Sequence, residues 1–177
     1  LRTCASKLEI NLSTAFIWRH KILDAIRSNV KTKVLEGDIQ VDETYFKESF
    51  KGNHSKSEFK MPRKAYKRGT PSKYRGISKE QVCVLTALDI NESIVIEPSC
   101  MGRPGSSDLL RVLSDIVKKE STIISDSFWG YNTLASYCKS KHIAIPTRKH
   151  SFGKYNIQRI NSIHSKLKSF IRPYKGV

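Results

Sequence analysis

The sequence predicts an α/β chain built on a mixed sheet, in which a three-strand meander is followed by alternating helices and strands. Three observations lead there. GDIQVDETYF, QVCVLTALDI and SIVIEPS carry strand-like apolar patterns separated by turn residues. Two helical patterns are interleaved with the short apolar runs TIISDS and HIAIPT. A final stretch repeats apolar residues at helical spacing before Pro173. The order βββαβαβα excludes an all-α repressor and a β-barrel.

Each element has its own warrant. In residues 10–28, Ala15, Trp18, Ile22, Ala25 and Ile26 fall on one helical face, with Ser13 or Thr14 as the N-cap. The preceding LEIN reads either as the turn of a helix-turn-helix whose first helix is cut away, with Arg19, His20 and Lys21 towards DNA, or as the lead into a plain packing helix. After Gly37, Ile39 and Val41 alternate with Gln40 and Asp42, the period of a strand. Residues 47–80 hold almost no aliphatic period and read as a long basic loop. Asn91 and Glu92 form the turn between the next two strands. Ser106 or Ser107 caps a helix with Leu109, Leu110, Val112, Leu113, Ile116 and Val117 on its face. TIISDS is a short buried strand ending in Asp126, with Trp129 beyond it capping the core. FWGYNTLASYCKSK is a helix, and HIAIPT a fifth strand closed by Pro146. In the last helix Ile160, Ile163, Leu167 and Phe170 face inward, leaving Asn161, His164 or Ser165, and Lys168 as a polar strip.

Composition narrows the partners. The chain has 177 residues, 32 Lys+Arg against 16 Asp+Glu, a formal charge of +16 and a pI near 9.8. The charge is blocked: Lys47–Lys79 holds 11 Lys/Arg against Glu48 and Glu58, and Ser127–Val177 holds 10 with no acid. Such surfaces suit a polyanion, nucleic acid above all; Arg63, Lys64, Lys67, Arg68, Arg148 and Lys149 are the candidate DNA-binding residues. No apolar run approaches the ~20 residues needed to cross a bilayer. The four cysteines are scattered without a C-x-x-C pair, which argues against a zinc ribbon or a disulfide framework and fits a reducing cytosol. The N-terminal Leu and the end just after an amphipathic run suggest a piece of a longer chain.

Asp42 on its strand and Asp126 at the carboxyl end of another stand where open α/β sheets build sites. Two such aspartates with an oxygen-bearing third group make a place for Mg²⁺, which takes oxygen ligands and serves phosphodiester chemistry. No acid follows Asp126, so a third ligand on the last helix is neutral, and Asn161 is its candidate. The same residues also read as turn formers and a solvated amide. Glu43 points to the opposite face of the strand from Asp42, in a surface or structural role; Tyr45 and Tyr131 either stack on bases or pack on the sheet.

LSTAFIWRHKIL, VDETYF, ISDSFWGY and INSIHSKLKSFI, in that order over nearly the whole chain, resemble the bacterial insertion-sequence transposases with a retroviral-integrase-like catalytic core, of the group that carries a zinc ribbon and helix-turn-helix ahead of it. The resemblance implies an RNase H-like mixed sheet flanked by helices over 35–177, with 47–80 a basic insertion loop and 1–34 a remnant of the helix-turn-helix region. It implies that Asp42, Asp126 and Asn161 are the catalytic metal-binding triad, Asn replacing the Glu of relatives, with His164 and Lys168 as auxiliaries. It implies Mg²⁺ as cofactor with Mn²⁺ able to substitute, and strand cleavage and transfer on double-stranded DNA at element ends and target. A homodimer or higher oligomer in a synaptic complex, at the nucleoid of a bacterial cytoplasm, completes the expectation. The alternatives are a metal-dependent nuclease or resolvase of the same fold, and a non-catalytic DNA-binding derivative.

Overall fold

The computed structural model describes residues 1–29, 34–48, 50, 74–149 and 151–172. Most of the expected basic loop, including Arg63, Lys64, Lys67 and Arg68, lies outside the described residues, as do His150 and Pro173. Contacts divide the chain into two units, Leu1–Lys33 and Val34–Val177. No helix among the described residues is long and apolar enough to cross a membrane.

The first unit is a pair of helices, α1 (Arg2–Lys7) and α2 (Leu12–Asn29). A short helix thus precedes LEIN, which forms the turn between α1 and α2. That turn is a helix stop: Glu9 adopts φ +52°, Ile10 N–H donates to Ala5 O at 3.1 Å and Glu9 N–H to Ser6 O at 3.4 Å, which satisfies two end carbonyls of α1. Asn11, rather than Ser13 or Thr14, caps α2, its side-chain oxygen accepting the Ser13 N–H at 2.8 Å. Ala15 is buried, but Trp18, Ile22 and Ile26 of the expected inner face are exposed. His20 turns back on its own helix, Nδ1–H donating to Phe16 O at 2.8 Å with the two rings 4.1 Å apart.

The second unit holds β1 (Asp38–Lys47), β2 (Gln81–Leu88), β3 (Ile94–Met101), α3 (Ser106–Leu113), β4 (Thr122–Asp126), α4 (Gly130–Tyr137), β5 (Lys141–Ile145), β6 (Ser151–Phe152), β7 (Tyr155–Asn156) and α5 (Gln158–Ile171). The main sheet runs β3-β2-β1-β4-β5. β1, β2 and β3 pair antiparallel, as hairpin-type neighbours do; β1–β4 and β4–β5 pair parallel, their connections passing through α3 and α4. This five-strand mixed sheet flanked by helices is an RNase H-like fold. The β6–β7 hairpin, unannounced by any apolar period, turns at Gly153. Asp89 supports the β2–β3 turn, accepting the Ser93 N–H at 2.8 Å.

Strand alternation divides the core between two faces. Ile39, Val41, Leu85 and Ile123 pack with Leu109, Leu113 and Leu134 of α3 and α4; Ile124 and Ile145 pack with Ile157 and Ile160 at the start of α5. β1 also provides a cap for α5. Ile160 N–H, which has no intrahelical acceptor in the first turn, donates to Gln40 Oε1 at 3.1 Å. α3 starts differently from the expectation: Gly105, not a serine, is its N-cap, and its N–H donates to Asp108 Oδ2 at 2.9 Å. The inner side of α5 differs too. His164 is buried beside Ile160, Ile163 and Leu167 are half-buried, and Phe170 is 66% exposed, so the buried stripe follows 160/164 and not 160/163/167/170.

Candidate active site

Asp42 and Asp126 come together through the parallel pairing of β1 and β4. The ladder matches Gln40 with Ile124, and the same register carried two residues further sets Asp42 beside Asp126, both on the α5 side of the sheet. β4 ends there while β1 continues to Lys47, which opens a cavity of about 560 Å³ beside β1. Asp42, Glu43 and Asp126 line it together with Arg103, Trp129 and Thr147. Asp126 is held by its own turn, its Oδ1 accepting the Phe128 N–H at 3.0 Å. Ser127 Oγ–H donates to Ile145 O at 2.8 Å and ties the end of β4 to β5.

Electrostatics mark the acids. Burial raises the Asp42 carboxyl to about 6, opposed by the Glu43 backbone N–H, with the charge of Asp126 adding and that of Lys168 subtracting. His164 Nδ1 stands 3.6 Å from Asp42 Oδ2. Burial, with the charge of Lys168, lowers the imidazole to about 4, so at neutral pH this contact is not an ion pair. His164 and Lys168 thus both lie near Asp42. Asn161 sits one turn before Ser165 on α5, half-buried, and among the described residues its side-chain amide has no hydrogen-bond partner. It does not line the cavity. Arg148 and Lys149 are exposed in the turn that follows Thr147.

Sequence reasoning gave Glu43 a surface or structural role on the far face. It is on that face, yet it reaches the cavity and is held from below: Tyr131, fully buried, donates its hydroxyl to Glu43 Oε1 at 2.8 Å. Burial still raises Glu43 to about 7, with Asp42 and Asp126 contributing. Its partner lies far along the chain, so no local pattern announces the pair. A second brace was also hidden. His142 Nδ1–H donates to Asn132 Oδ1 at 2.6 Å, and its Nε2 stands 2.8 Å from Ser125 Oγ, next to Asp126 but on the α4 face. Tyr131 packs and does not stack on bases, and Trp129, expected to cap the core, is exposed. Cys83 and Cys138 are buried, whereas Cys4 is exposed.

The donor set suits a hard cation in one respect. The charge of Asp126 adds to the raised proton affinity of Asp42, and beside Asp42 the oxygens of Thr44 and Thr86 and Nε2 of His164 are buried without hydrogen-bond partners, polar surroundings rather than apolar ones. Among the described residues no group of three or more His, Cys, Asp or Glu side chains gathers to hold a metal ion, so the protein's acids alone do not complete a shell. Residues 34–177 match the model of the ISXO2-like transposase domain. No curated protein matches the chain.

Proposed function

The chain belongs to the ISXO2-like transposase domain family, insertion-sequence transposases of the DDE type, and from that premise we propose that its acid pair cleaves and rejoins DNA strands at the ends of an insertion sequence. The observation that carries the reading is the β1–β4 register, which sets Asp42 against Asp126 at the open carboxyl end of the sheet. Asp42 and Asp126, with Asn161 as a neutral third ligand, would hold Mg²⁺, or Mn²⁺ in its place. Bound there, the cation would supply Lewis acidity to the attacked phosphate and the attacking oxygen.

The chain's own residues account for the rest. His164, neutral and buried, stands beside Asp42 on the α5 side without competing for its charge. Lys168 brings a positive charge towards the same carboxylate. Arg148 and Lys149, exposed next to Thr147 of the cavity, would meet phosphates. In cleavage, water attacks phosphorus and the P–O3′ bond breaks, freeing a 3′-hydroxyl. In transfer, that hydroxyl attacks a target phosphate, so one phosphodiester bond replaces another without a covalent enzyme intermediate. Two ends would require two copies, in a homodimer or larger assembly.

The test is Mn²⁺-dependent nicking of an element-end duplex. Asp42→Asn and Asp126→Asn should each abolish it, and Asn161→Ala should reduce it severely while Asn161→Asp keeps part. Nicking by Asp42→Asn at the wild-type rate would end the proposal. Undiminished activity in Asn161→Ala would pass the third role to His164, and DNA binding without any nicking would leave a non-catalytic binder.

A further inference from the structure

Besides the acids, the wall of the cavity carries groups that the proposed chemistry leaves unused. Asp126 leads into Ser127-Phe128-Trp129-Gly130. Phe128 folds inward over the start of α4, its ring edge-on to Tyr131 with centroids 5.9 Å apart. This fold requires a glycine at 130, because a Cβ there would meet Phe128 Cε1 at 2.6 Å and Leu109 Cδ1 at 3.0 Å. With Phe128 turned in, the next side chain turns out. Trp129 is 64% exposed and lines the cavity, although a tryptophan gains more from burial than almost any other side chain. Arg103 completes the wall with its guanidinium 5.9 Å from the Phe128 ring centroid. Its backbone is fixed by Gly102, which is buried at φ +83° with the backbone of Ser78 and Lys79 3.2–3.3 Å from where a Cβ would stand.

We propose that this wall is a base-binding subsite, in which Trp129 stacks on one unpaired nucleobase of the strand whose phosphate lies at Asp42 and Asp126, and Arg103 meets the adjoining backbone. The inference rests on the phosphodiester reading of the acid pair. Three facts favour a single base as the occupant. The cavity, about 560 Å³, has the size of a site for one small ligand and not for a duplex. Trp129 is three residues beyond Asp126, at most ~10 Å of extended chain, so a base it holds neighbours the phosphate at the acids. An exposed indole beside a guanidinium is the pairing that single-stranded nucleic acid selects, stacking on the one and charge on the other. A base so held must first leave its partner, which is easiest where it is already mismatched.

The experiment compares two short duplexes, fully paired and with a single thymine–thymine mismatch, without divalent metal so that cleavage cannot intervene. The chain has two tryptophans, and Trp18→Phe leaves Trp129 as the sole indole reporter. The mismatched duplex should bind at least about fivefold tighter and quench Trp129 emission. Trp129→Ala should bring the ratio near one, and Trp129→Phe should keep most of it. Tyr137→Ala, which removes an aromatic 65% exposed elsewhere on α4, should keep all of it. Equal affinities with unquenched emission overturn the subsite and assign Trp129 to a protein contact, while Mn²⁺-dependent nicking in the same preparation would still uphold the catalytic reading. Mismatch preference without nicking retains the subsite and removes that reading. Failure to bind either duplex overturns both.

Discussion

Asp42 holds its charge at a cost to the fold. Its carboxyl, raised to about 6 in the folded chain, titrates near the ordinary 3.8 when unfolded, so the folded state binds the proton more tightly. Stability from this group is therefore intact below pH ~4, falls as pH rises to about 6, and stays reduced above it. Asp42→Asn should melt higher than wild type at pH 8, by on the order of 2 kcal/mol, and should show no gain at pH 4. Thermal unfolding at the two pH values checks this, and an unchanged melting point at pH 8 would mean the carboxylate is better solvated than its burial implies. The same variant should not nick DNA, so stability and activity move in opposite directions. At this scale the acids were legible because Asp42 sits on a period-two strand and Asp126 ends an apolar run. Glu43 was read from alternation alone, which gives the face of a side chain but not the distant tyrosine that reaches it.

Elements with a clear period were readable, and those held by distant atoms were not. β1 to β5 and the long helices follow from apolar spacing, whereas α1 spans six residues and β6 and β7 two each, too short for a period to show. The inner side of α5 escaped for a different reason. Apolar spacing placed Ile163 and Phe170 inside, but the sheet beneath presents Gln40 and Asp42, and a polar floor accepts His164. The turn from β4 to α4 gives the test at this scale. Gly130→Ala should push the Phe128 ring off Leu109 and lower stability by about 1–3 kcal/mol, measured by urea unfolding. A variant as stable as wild type, with Phe128 in place, would show that the ring has room to yield.

Across the whole molecule, charge was the plainest message of the sequence. The chain carries a formal charge of +16 while its cavity holds three carboxyl groups, so long-range attraction brings a polyanion in and the local field at the acids opposes it. Affinity for duplex DNA should consequently fall at least about a hundredfold between 50 and 200 mM salt, with Arg148→Glu and Lys149→Glu together flattening the slope. Equilibrium binding across a salt series reads this directly, and a flat profile would remove phosphate contacts as the source of affinity. The strand order β3-β2-β1-β4-β5 also has a consequence in time. Asp42 and Asp126 are neighbours in space but are separated in the chain by β2, β3 and α3, and synthesis at ~5–20 residues per second puts on the order of ten seconds between them. The basic residues of 47–80 thus leave the ribosome before Asp126, the neighbour of Asp42, has been made. Whatever nucleic acid the nascent chain meets during that interval, it meets without the completed pair of carboxylates.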